Sequence, residues 1–108
     1  MTNLTEREKA FEAKYQHDQE VAFKVNVRRN KLLGLWAAAL LGKGGADAET
    51  YAKAVIAADF EKAGDSDVFE KIRRDFDAAG VQQSDHQIRR TMDELMQKAI
   101  AQVQTETP

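Results

Sequence analysis

The chain lacks several features that would point to particular protein classes. None of its 108 residues is cysteine, which excludes disulfide bonds and metal sites built on thiolates. This composition fits a reducing compartment such as the cytoplasm. The single proline is Pro108, so no proline interrupts a helix earlier in the chain. These absences favour a helical protein held together by packing alone.

The chain also lacks a long hydrophobic run and an excess of either charge. Its longest apolar run, residues 32–41, is about half of the ~20 residues that a membrane span requires. That run also lies too far from the N-terminus, behind too many acidic residues, to be a signal peptide. The 16 basic and 18 acidic residues nearly balance, whereas nucleic-acid binding usually depends on a basic excess. We therefore expect a soluble intracellular protein that does not bind nucleic acid.

Capping signals divide the chain into four predicted helices. Thr5 and Glu8 form a capping box that can start the first helix, and the glycines of residues 42–45 can end it. A second helix is predicted from about residue 47 to 63, with Gly64 as its stop. The segment Asp65-Ser66-Asp67 offers N-caps for a third helix, which ends at Ala79 before Gly80. Ser84 and Gln87 form another capping box, which opens a fourth helix to about Val103.

The apolar residues of these segments recur with the spacing of an α-helix. The positions that follow this spacing are Ala52, Val55, Ile56, Ala58 and Phe60 in the second, Val68, Phe69, Ile72, Phe76 and Ala79 in the third, and Ile88, Met92, Leu95, Met96, Ala99 and Val103 in the fourth. No segment alternates as a strand would. The pattern predicts an all-α, four-helix domain whose short turns make most neighbouring helices antiparallel.

The first predicted helix has two unlike halves. One narrow apolar stripe, about 80° wide, runs along its first part, where the other residues before Val21 are mostly charged or polar. The stripe consists of Leu4, Phe11, Tyr15, Ala22 and Val25. From residue 32 the helix is apolar on several sides and is expected to be buried. A thin stripe buries too little surface to order the first part alone. We therefore predict an arm, residues 1–20, that is mobile when free up to about residue 18, a domain over 21–104 and a disordered tail over 105–108.

Two segments give the chain a family resemblance. Residues 8–18 (EKAFEAKYQHD), followed by Phe23-Lys24 and by residues 28–38 (RRNKLLGLWAA), resemble the zeta subunit family. Members of this family are inhibitors of the alphaproteobacterial F-type ATP synthase. The resemblance implies that the arm becomes helical on entering a catalytic interface between the alpha and beta subunits, close to the gamma subunit, and blocks ATP hydrolysis there. The remaining domain would dock outside on the ATPase head.

The same resemblance implies which residues contact the partner. The expected contact residues are Leu4, Arg7, Glu8, Lys9, Phe11, Glu12, Lys14, Tyr15 and Asp18. Among them the apolar residues would be anchors in a groove, and the charged ones would set the register. The protein would be a non-catalytic monomer when free, without a cofactor or metal. It would lie in the cytoplasm, at the inner membrane only through the ATP synthase.

Two other functions stay open from the residues alone. A helical module for a nucleotide or small ligand could bind phosphate through a basic cluster, and an adaptor could use the same arm for another partner. The candidate ligand residues are Arg28, Arg29, Lys31 and Trp36. Gly42-Lys43 lacks the rest of a phosphate-binding loop, and the calcium-like start at Asp65 has Phe76 where a carboxylate is required. No nucleophile and base stand in a recognisable arrangement, so no enzymatic activity is expected.

Overall fold

The fold is known from a computed structural model, which describes the backbone of residues 2–61 and 65–106 and the side chains of residues 18–60 and 66–106. The described residues form four α-helices and no strand, which confirms the predicted all-α class. They are α1 (Thr2–Leu40), α2 (Gly45–Glu61), α3 (Asp65–Ala79) and α4 (Asp85–Glu106). The prediction that the arm is mobile concerns residues whose side chains lie outside this description, and it stays a prediction.

Two of the predicted helix ends at glycine are confirmed, those of the first and third helices. Gly42 has a φ of 76°, and the amide of Lys43 donates to the carbonyl of Ala38 at 2.8 Å. Gly80 ends α3 in the same way, with a φ of 71° and a bond of 2.9 Å from the Val81 amide to the Phe76 carbonyl. These bonds satisfy carbonyls that a helix end leaves without a partner, and glycine accepts the left-handed conformation without strain.

The capping box at the start of α4 is also confirmed. The Ser84 amide donates to Oε1 of Gln87 at 2.8 Å, and the Gln87 amide donates to Oγ of Ser84 at 3.1 Å. The predicted start of α1 is wrong, because the helix already begins at Thr2 and Thr5 lies inside it. Nothing between these residues breaks a helix, so a local capping motif did not fix the boundary.

The other boundaries differ slightly from the prediction. α2 runs over Gly45–Glu61 rather than from 47 to 63, and residues 62–64, including Gly64, lie outside the described residues. α4 continues to Glu106, beyond the end predicted at about Val103, and the disordered tail stays a prediction. Packing explains the longer helix, since Val103 is 2% exposed and Glu106 contacts α1.

The core lies where the second half of α1 meets the other three helices. Leu33 is fully buried, as predicted for this half, and Trp36 packs edge-on against Phe76 of α3 with 5.6 Å between ring centroids. Gly34 lies so close to α2 that an added Cβ would stand 2.6 Å from the Cα of Ala52. The remaining core side chains are Ala37, Ala38, Tyr51, Val55, Val68, Phe69, Ile72, Ile88, Met92 and Ala99. This packing holds the second half of α1 rigidly against the domain.

Candidate functional site

The candidate arm is the N-terminal part of the longest helix. α1 has 39 residues, whereas α4, the next longest, has 22. The backbone of the arm is helical from Thr2 and continues into the buried half of α1 without a break. Of the expected contact residues, Asp18 is described and is exposed; the side chains of Leu4, Arg7, Glu8, Lys9, Phe11, Glu12, Lys14 and Tyr15 lie outside the description.

An aromatic pair joins α1 to a neighbouring helix close to the arm. The rings of Phe23 and Phe60, which is near the end of α2, lie 5.7 Å apart at an angle of 40°. Both are unusually exposed for phenylalanine, at 54% and 60% respectively. Before them along α1, Gln19 and Glu20 are also exposed. Sequence periodicity placed Phe60 on the apolar face of α2, but its neighbours there leave most of the ring in solvent.

Arg28 joins α1 to the last turn of α4. Its two terminal nitrogens donate to the two carboxylate oxygens of Glu106 at 2.8 and 2.7 Å, and Nη1 also donates to Gln102 at 2.8 Å. The hydrogen bonds to Glu106 raise the pKa of Arg28 and lower the pKa of Glu106 relative to their ordinary values. A bidentate arginine–carboxylate contact of this kind fixes the relative position of the two side chains better than a single hydrogen bond does.

The next two residues of α1 form a buried polar contact with α2. Arg29 and Asn30 are only 2% and 1% exposed. Nε of Arg29 donates to Oδ1 of Asn30 at 2.8 Å, and Nδ2 of Asn30 donates to Oδ2 of Asp59 at 3.0 Å. Buried polar groups must keep such partners, because leaving one unsatisfied costs about 1–3 kcal/mol. The contact therefore holds α1 and α2 in one register.

The candidate ligand residues do not form one site. Arg28 and Lys31 border a shallow groove beside Val103 and Glu106, but Arg28 is already paired there. Arg29 is buried, and Trp36 packs in the core beyond this groove. Two of the three basic residues proposed to bind phosphate, Arg28 and Arg29, are therefore paired or buried within the domain.

Three contacts near the base of the arm are not predicted by the sequence. They are Phe23 with Phe60, Arg28 with Gln102 and Glu106, and Asn30 with Asp59. Only Asn30 carried a local signal, since it is a polar residue beside the apolar half of α1. The contacts of Phe23 and Arg28 join segments far apart in the chain, and no local sequence pattern predicts them.

Neither a metal site nor a membrane span is found in the part of the chain that is described. Its His, Asp and Glu residues form no group of three or more that could hold a metal ion. None of its helices combines the length and apolar character needed to cross a bilayer.

Comparison with known proteins gives the family. Residues 1–102 match the protein family described as ATPase inhibitor subunit zeta. Three chains of solved structures are similar, and one of them, described as a "Solution NMR structure of the protein", shares 44% sequence identity with a TM-score of 0.69. That comparison covers 78% of this chain and 95% of the other. No curated protein matches. Since the family match covers residues 1–102 of the 108, the chain belongs to the ATPase inhibitor subunit zeta family.

Proposed function

We propose that the protein inhibits ATP hydrolysis by an F-type ATP synthase, by inserting the arm into a catalytic interface between alpha and beta subunits near gamma. The observation that carries this proposal is the family match, which extends over residues 1–102 and so includes the whole arm. The protein acts as a binding partner, without catalysing a reaction and without a cofactor. It is a monomer when free and reaches the inner membrane only through the ATP synthase.

The arrangement of α1 supports this role. Its ring contact with α2 lies at Phe23 and its hydrogen bonds to α4 lie at Arg28, while Asp18, Gln19 and Glu20 are exposed. A helix that continues beyond its own domain can offer the apolar stripe of the arm to a groove on a partner. An arm that orders only on binding loses conformational freedom at that moment, which limits its affinity and keeps the complex reversible.

The residues of the arm divide into two roles in this proposal. Leu4, Phe11 and Tyr15 are the apolar anchors, because buried apolar and aromatic side chains dominate interface energies. The charged residues set register and orientation through pairing with the cleft, where each contributes less. They are Arg7, Glu8, Lys9, Glu12, Lys14 and Asp18.

The test is ATP hydrolysis by the purified cognate ATPase head. The full chain should inhibit, and a version that begins at Val21 should not, although its circular dichroism shows a folded helical domain. Equal inhibition by the two would refute the role of the arm. If neither inhibits, the function itself is wrong for this enzyme.

Single substitutions then test the division of roles. Phe11→Ala and Tyr15→Ala should each weaken inhibition strongly, by about 2 kcal/mol or more, as truncated anchors usually do. Lys14→Ala, a neighbouring change of charge, is the control and should cost less than about 1 kcal/mol. An effect of Lys14→Ala as large as that of either aromatic change would contradict the anchor assignment.

A further inference from the structure

We propose that Arg28 and Asn30 are positioning residues for inhibition, because they fix α1 to the domain as a preformed nucleus from which the helix of the arm extends. We call Arg28 and Asn30, together with their partners Asp59, Gln102 and Glu106, the anchor layer. This inference rests on the proposed function, since it concerns how the arm is held for insertion.

The anchor layer joins α1 by hydrogen bonds to both α2 and α4 within a single helical turn. Arg28 donates to Gln102 and Glu106 of α4 at 2.7–2.8 Å, and Asn30 donates to Asp59 of α2 at 3.0 Å. The partners come from the last part of each neighbouring helix. α1 therefore leaves the domain between the ends of α2 and α4, with its axis fixed by both.

A fixed helix end changes the cost of ordering the arm. The equilibrium constant for forming the first turn of an isolated helix is reduced by nucleation to about 10⁻³ of that for adding a residue to an existing helix. An arm that continues from the anchored helix avoids this nucleation step. The sequence allows continuation, because the first glycine of the chain is Gly34 and no proline precedes it. In the structure α1 is one helix from Thr2 to Leu40.

The Arg28 contact differs from an ordinary surface ion pair of the same domain. Arg90 and Glu94 also pair, at 3.1 Å, but both lie on α4 one turn apart, with side chains 71% and 63% exposed. Such a pair stiffens only its own helix and contributes little. The Arg28 side chain is 28% exposed and joins two helices through both nitrogens. The Arg28–Glu106 and Arg90–Glu94 pairs carry the same charges, but only the first joins two helices. The second pair is therefore a suitable control for the first.

The first experiment interrupts the helix at the last two residues of the arm, just before α1 continues to the anchor layer. Gln19→Gly with Glu20→Gly is compared with Gln19→Ala with Glu20→Ala, since both side chains are exposed and neither pair removes packing. Two glycines in a helix should weaken inhibition about 10–30-fold relative to two alanines. Equal inhibition by the two variants would overturn the proposal, because the bound arm would not then be continuous with α1. The proposed function would survive that result, since both variants would still inhibit.

The second experiment weakens the anchor layer without touching the arm or the core. Glu106→Ala is compared with Glu94→Ala, which removes the same charge from the same helix. Amide hydrogen exchange over residues 18–30 should become several-fold faster in Glu106→Ala and stay unchanged in Glu94→Ala. Inhibition should weaken in the same order. Identical exchange in the two variants would overturn the anchor layer.

The two readouts separate the possible failures. If the unaltered chain and every variant fail to inhibit, the proposed function falls. The exchange comparison then decides by itself whether Arg28 and Glu106 hold α1 in place. If the exchange rates differ as expected but the glycine and alanine pairs inhibit alike, α1 is anchored and the anchor does not serve inhibition.

Discussion

Replacing Gly34 by alanine should destabilise the domain, although alanine is the better helix former. An added Cβ would lie 2.6 Å from the Cα and 3.1 Å from the Cβ of Ala52, and ordinary contacts begin near 3.4 Å. The nearest atom belongs to the backbone, so no rotamer change can relieve the clash and α2 must move. Overpacking costs about 1–3 kcal/mol, while the change from glycine to alanine gains about 1 kcal/mol in a helix interior. Since the clash is with backbone, we expect a net loss of about 1–2 kcal/mol.

Gly44→Ala is the matched control, because nothing lies within 4 Å of a Cβ at that position. Thermal unfolding followed by circular dichroism should show a Tm lower by about 4–16 °C for Gly34→Ala and little change for the control. Urea unfolding should give the same order in the free energy of unfolding. A Gly34→Ala protein as stable as the unaltered chain, or more stable, would refute the close approach of α1 and α2.

Two further predictions concern hydrogen bonds made by titratable side chains, Tyr51 and Glu106. Tyr51 donates to Asp75 at 2.7 Å, and Tyr51→Phe should lower the free energy of unfolding by about 1–2 kcal/mol, because Lys71 still pairs with the carboxylate at 3.0 Å. Burial, and then this hydrogen bond, raise the pKa of Tyr51 above 10.0, so stability should fall as pH rises above that value and the unfolded chain ionises. The hydrogen bonds from Arg28 lower the pKa of Glu106 below 4.5, so the stabilisation is complete at neutral pH and is lost as the solution is acidified through the lowered pKa. An NMR titration of the Glu106 carboxyl should show this, and Arg28→Gln should return the pKa towards 4.5.

The sequence predicted most of the fold because its signals are local. A glycine that accepts a left-handed conformation, or a serine three residues before a glutamine, acts within one turn of helix, so Gly42, Gly80 and Ser84 could be read directly. Apolar spacing likewise identified the buried faces of α3 and α4, including Ile72 and Ile88. The predicted start of α1 was wrong because the capping motif at Thr5 lies inside the helix and does not begin it.

The contacts at the base of the arm could not be predicted from the same signals. Arg28 and Glu106 are 78 residues apart, and their pairing depends on how α1 and α4 pack. The sequence made Arg29 a candidate phosphate-binding residue, yet the packing of α1 buries it beside Asn30. Charge and propensity describe a residue within its own helix, whereas burial depends on which other helices cover it. The contact residues of the arm itself remain predictions.

The unbroken course of α1 has a geometric consequence for the arm. A residue inserted into or deleted from residues 18–28 would rotate everything before it by about 100° around the helix axis and shift it by ~1.5 Å along that axis. The apolar stripe would then point away from a groove that it fitted before, even though no contact residue had changed. A change of seven residues, close to two full turns, would restore the direction within ~20° while moving the arm by ~10 Å. The length of this segment is therefore as much a part of the binding surface as the side chains that it carries.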